Sequence, residues 1–231
     1  MQNITFQSVF DTPTVPQAKL GAIGQTEDGR VWRYLKTTEA ISQYMVTSRP
    51  ANTTVTTVSS SQNAALENVF VAEASAGWTV GDYQDHWLLV NTGTGEGQVA
   101  KIKDNSADTL ELYVDYKLAT ALAVADSGIA IVHENDAEKI AVTTLITTPN
   151  GVAQVAFASG DYGWFLKQGI GGVLAGEAIT INTSMTPGDD TEGTVEIGDT
   201  AKGTFDEAYI GRCLVANASV DKACLAYVNL Q

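Results

Sequence analysis

Cysteine and histidine are nearly absent from this chain of 231 residues, with two of each. Two cysteines cannot close a zinc site, which takes three or four protein ligands. His133-Glu134 lacks a second histidine four residues after the first, so no zincin motif is present, and no Gly-x-Ser-x-Gly elbow occurs. Proline is sparse at five residues, and two of them, Pro13 and Pro16, fall in the first twenty positions. Basic residues are few: 13 Lys and Arg stand against 27 Asp and Glu, a formal charge of −14. A field of that sign repels phosphate backbones and anionic lipid, so neither a nucleic acid nor a membrane is expected as a partner. No apolar run approaches the roughly 18 residues of a membrane span. The opening MQNITFQSVFDTPTVPQ lacks the basic and apolar regions of a signal peptide, which predicts synthesis and retention in a cytoplasm or release by lysis.

What the chain has in quantity is Thr, Val, Ala and Gly. Branched side chains favour pleated strands, and the composition predicts an all-β protein. Residues 1–19, marked by two prolines, read as an extended N-terminal arm ordered against a partner. LGAIGQTEDGRVWRYLKT follows as a hairpin turning at Asp28-Gly29, and residues 20–50 are expected to pack with the C-terminal domain. EAISQYMV, residues 39–46, fits a short helix or a further strand. From residue 51 strands alternate with polar turns such as DNSAD (104–108), giving a central β domain over 51–148. YKLATALAVADSG, 116–128, carries the one helical periodicity in that region. A C-terminal β domain over 149–231 has glycines punctuating short strands, a sandwich or barrel signature.

Each cluster that could carry chemistry has a plainer reading beside it. HWLLVNTGTGEGQVAKI places Gly93, Gly95 and Gly97 after an apolar strand, as a phosphate-binding loop would. A phosphate cradle needs a helix to follow, whereas QVAKIKDN alternates like a strand, so these glycines are expected to form a turn. Asp189-Asp190 sits in the turn-like PGDDTEG, where solvated carboxylates are ordinary, although they are also a conceivable calcium site. The tryptophans and tyrosines are spread through the strands as core and interface anchors rather than gathered as a sugar-stacking platform. Cys213 and Cys224 flank a predicted final hairpin, as buried thiols or as a cross-strand disulfide. No catalytic residue, metal or cofactor is assigned, and the chain is expected not to be an enzyme.

Three ordered segments carry a resemblance. LGAIGQTEDGRVWRYLKTTEAI resembles the leading hairpin of virion proteins from tailed bacteriophages, WLLVNTGTGEGQVAKIKDN with LELYVDYKLATAL their central β domain, and DYGWFLKQGIGGVLAGEAI with IGRCLVANASVDKACLAYVNL their terminal domain. The chain is thereby similar to the capsid decoration, or cement, proteins. The resemblance implies a β-tulip-like C-terminal part, a homotrimer, and a place on the capsid exterior bridging subunits of the major capsid protein. It also implies that the arm grips the capsid through Phe6, Val9, Phe10, Pro13, Val15 and Pro16. Tyr162, Trp164 and Phe165 are the expected oligomer contacts. A tail or head-fibre protein that binds host glycan is the alternative.

Overall fold

The computed structural model describes residues 2–4, 7–60, 69–116, 118–141, 148–198, 208–217 and 219–230. In chain order the strands are β1 (Gln2–Asn3), β2 (Ile23–Gln25), β3 (Val31–Thr37) and β4 (Val46–Ser48). There follow β5 (Thr53–Val55), β6 (Val69–Val71), β7 (Trp87–Thr92), β8 (Val99–Asn105), β9 (Thr109–Leu112) and β10 (Gly128–Val132). The last are β11 (Asp136–Lys139), β12 (Pro149–Val152), β13 (Tyr162–Ala175), β14 (Ser184–Pro187), β15 (Val195–Ile197), β16 (Gly211–Val215) and β17 (Lys222–Asn229). The only helices among the described residues are single 3-10 turns at Gln7–Phe10 and Val114–Tyr116. The protein is all-β. The helical periodicity at 116–128 is not used: its described residues form turns that lead into β10. EAISQYMV supplies an isolated bridge at Ile41 and then the start of β4.

Two compact units make up the chain, residues 1–50 with 135–231, and residues 51–134. The reading from sequence carried the central unit to 148. Residues 135–148 belong elsewhere because β11 pairs with β3 through Asp136–Lys36 and with β4 through Glu138–Ser48.

In the first unit an 11-stranded sheet closes on itself twice. One circuit runs β3–β11–β4–β12–β13 and returns through the β13–β3 pairing; the other runs β13–β15–β14–β16–β17 and returns through β17–β13. The 14-residue β13 belongs to both, its first half paired with β3 and its second with β17. It can serve two circuits because it is bulged. The register shifts between Leu166 and Gln168, and Gly169 follows at φ +117°, a conformation that suits glycine. Even-numbered Trp164 and Leu166 face the large core before the shift, and odd-numbered Val173 and Ala175 face it afterwards. The opposite face of β3 and β13 builds a second core from Leu35, Ala137, Phe157 and Phe165, with the two phenyl rings stacked 4.7 Å apart. Gly163 fits under Phe157 because a Cβ there would lie 2.2 Å from the ring.

The first residues do not stand off as an arm. β1 adds in parallel to β2, the Ile4 amide donates to the Gln25 carbonyl at 3.1 Å, and Ile4 and Val9 are buried in the large core. Farther along, the Tyr162 amide donates to the Pro13 carbonyl at 2.8 Å and the Gln17 amide to the Tyr34 hydroxyl at 2.8 Å. The expectation of an extended arm is therefore corrected: an apolar residue at every few positions was enough to hold the segment against its own body.

The second unit is one antiparallel sheet in the order β5–β10–β7–β8–β9–β6. Alternation with period two puts Leu88 and Val90, Ala100 and Ile102, Leu110 and Leu112, and Ile129 and Ile131 on one buried face. The chain beyond β5 draws the two ends of the sheet together. There the Val58 amide donates to the Ser127 carbonyl and the Ser59 amide to the Ala72 carbonyl, at 2.9 and 3.2 Å.

Candidate functional site

In the second unit, the glycine-rich stretch is the turn between β7 and β8. Gly93, Gly95 and Gly97 all have positive φ, and the amides of Glu96, Gly97 and Gln98 donate to carbonyls of Gly93, Val90 and Gly95. Asp126 accepts from the Thr94 amide and hydroxyl, both at 2.7 Å, and those bonds hold its carboxyl below the usual range. With its amides turned onto the protein's own oxygens, this loop offers no anion cradle.

The two histidines are brought together. His86 precedes β7, His133 follows β10, and those strands are partners, so the rings meet edge to face at 5.2 Å beside Tyr83. Both are buried. His133 Nε2 is hydrogen-bonded with Thr53 Oγ1 at 2.8 Å, and His86 Nδ1 with the Gln84 carbonyl at 3.1 Å. The spacing of 47 positions hid this pair from sequence reading; the signal was that each ended a predicted strand.

On the surface of the same unit, Trp87 and Tyr113 share Lys101, whose ammonium lies 5.6 and 5.8 Å from their ring centres. Asp85 anchors the lysine at 3.3 Å and accepts from the Tyr113 hydroxyl at 3.1 Å. Burial and the adjacent Asp85 raise the Tyr113 phenol above its ordinary value. These aromatic faces are occupied from within, so they do not form an open sugar platform.

In the first unit, Asp189 and Asp190 lie in the turn from β14 to β15, where the Asp189 amide donates to Glu196 at 3.2 Å. Of the expected oligomer contacts, Trp164 is 5 % exposed and Phe165 fully buried, and Tyr162 is half-buried against the large core. Trp164 packs edge-on to Tyr34 at 5.0 Å. This corrects the expectation: two of those rings are spent inside the fold and give a neighbour nothing to touch. Of the proposed capsid grip, Val9 is buried, Pro13 half-buried, and Phe10, Val15 and Pro16 exposed; Phe6 lies outside the described residues.

Sequence reading missed a different surface. On the outward side of β13, β17 and β16, Ile170 pairs across to Tyr227 and Val215 to Leu225, and these four side chains are 41–55 % exposed. Strict alternation along β17, with Cys224, Ala226 and Val228 inward and Leu225 and Tyr227 outward, was the available signal. Beside this face runs a groove of about 710 Å³, bounded by the β2–β3 turn at Asp28–Arg30 and by the bulged part of β13. Arg30 is fixed at its rim by an ion pair with Asp28 at 2.7 Å and by the Trp32 ring, 5.1 Å away. Arg30 and the Thr26 hydroxyl in turn hold the Asp28 carboxyl down at about 2.

Among the described residues no helix is long and apolar enough to cross a membrane. Comparison with known protein families, with characterised proteins and with solved structures finds no match.

Proposed function

We propose that the chain is a structural virion protein of a tailed bacteriophage that decorates the outer surface of the expanded capsid as a homotrimer. It would bridge subunits of the major capsid protein, and its work would be binding rather than chemistry. The observation that carries the reading is where the resembling segments fall. The leading hairpin is β2–β3, the terminal segments are β13 and β16–β17, and β3, β13 and β17 are direct neighbours in one sheet. The central segment supplies β7, β8 and β9 of the separate unit. The leading and terminal segments, far apart in sequence, thus assemble in one sheet, and the central segment forms part of a sheet of its own.

A protein that binds the expanded lattice and not its precursor stabilises the expanded state by mass action. Several weak contacts from one oligomer multiply into high avidity when their spacing matches the lattice. Of the described residues expected to grip the capsid, Phe10, Val15 and Pro16 are exposed and would face a capsid subunit. Density-gradient fractionation of virions that contain the chain tests this. The expected result is the chain in DNA-filled heads, accessible to antibody on intact particles and missing from unexpanded precursors. Recovery with purified tails, or binding to host glycan without binding to heads, would overturn it.

A further inference from the structure

The strands β13, β16 and β17 contain no Asp or Glu, in a chain that has 27 of them. Of their three basic residues, Arg212 shares the open face of Tyr227, whereas Lys222 pairs with core-facing Ala175 and Lys167 falls at the bulge of β13. An acidic protein therefore carries, on neighbouring strands, an apolar strip that has an arginine and no carboxylate. Along that strip Ile170, Leu225, Tyr227 and Val215 stand open to solvent, and Arg212 lies directly across from Tyr227. None of the four apolar side chains is needed by the cores, whose residues alternate with them on the opposite face.

We infer that this strip is the contact through which one copy of the chain holds the acidic surface of the next. Identical bodies of charge −14 repel wherever carboxylates meet carboxylates. The strip escapes that repulsion and supplies Arg212 as a charge of the opposite sign, and the carboxylate at the adjoining groove, Asp28, is already paired with Arg30. The chain itself provides the complementary partner, because its acidic residues outnumber its basic ones two to one. A contact between two different faces is head-to-tail, and when its rotation closes it generates a ring. The groove beside Tyr227 and Ile170 gives a protruding side chain of the neighbour somewhere to enter. This deepens the oligomeric part of the proposed function by naming the face. It requires no capsid, so it can fail while the capsid reading stands, and the reverse.

The experiment is the solution mass of the purified full chain by sedimentation or light scattering, across concentration and salt. Wild type is expected as a discrete oligomer whose dissociation constant rises at least tenfold between low and high salt. Leu225→Glu and Tyr227→Glu place a carboxylate on the strip at exposed positions and are expected to leave monomers. Circular dichroism and melting temperature report that each variant is folded. Val99→Glu, at an exposed position of the other unit, is expected to keep the wild-type mass. A variant that unfolds is replaced by Arg212→Glu, which reverses charge without removing apolar packing. A wild-type monomer at about 100 μM and low salt, an oligomer that both folded strip variants retain, or salt-independent association would overturn the inference.

Discussion

Cys213 and Cys224 face the large core from adjacent strands, but Cys213 pairs with Ala226, so the two thiols are diagonal rather than opposite. Both are free. Their presence at a terminal hairpin was legible, whereas their offset depends on a bulge between Cys213 and Val215 that no local pattern announces. Burial first, and the neighbouring Cys213 second, push the Cys224 thiol up to about 11 from 9.0. A thiol must ionise to attack, so Cys224 is expected to resist iodoacetamide at pH 8 in the native protein and to react in denaturant. The sign of the linkage follows. Between pH 9 and 11 the unfolded thiol has lost its proton and the folded one keeps it, so the unfolded state gains and stability falls as pH rises. Below about pH 8 both states are protonated and the effect vanishes. Urea midpoints measured from pH 7 to 11 should fall more steeply for wild type than for Cys224→Ala. Parallel curves would show that the thiol is not shielded.

At the scale of elements, alternation and turn chemistry are what the sequence displays well, and long-range pairing is what it hides. The Asp28-Gly29 turn and the β7–β8 turn are both placed by glycine at positive φ, and both were readable from composition alone. The first segment was misread because two prolines and low regularity say only that a segment is not a helix or inner strand. They do not say whether it docks. Docking is decided by Ile4 and Val9, which reach the same core as Trp32 and Trp164. Substituting Val9 with Ala should lower stability by about 1–2 kcal/mol, the transfer value of the lost methyl groups plus the space left behind. Val15→Ala, at an exposed position of the same segment, should change it by less than about 0.5 kcal/mol. Chemical denaturation measures both. Equal, negligible effects would mean that the segment is released in solution and free to engage a partner.

The division of the whole molecule is set by how the chain enters and leaves its central unit. On one side of the crossing, Ser48 of β4 pairs with Glu138 of β11; on the other, Thr53 of β5 pairs with Ile131 of β10. Each unit is thus closed by its own antiparallel pair at the point of crossing, and each has a core made only of its own residues. The start near residue 51 was visible in a shift to Thr- and Ser-rich sequence after Arg49-Pro50. The end at 134 was not, because β10 and β11 are separated by three residues and nothing in HENDAE marks which sheet the next strand will join. Because antiparallel strands can be joined by a tight turn, residues 51–134 should be replaceable by a short Gly-Ser or Asn-Gly linker that converts β4 and β11 into a hairpin. The shortened protein is expected to melt cooperatively, and the excised 51–134 segment to melt cooperatively by itself, each with dispersed amide resonances. If self-association resides on β13, β16 and β17, the shortened protein should also retain the oligomer of the full chain. A collapsed, non-cooperative remainder would show that the first unit depends on the second for its stability and that the two folded together from the start.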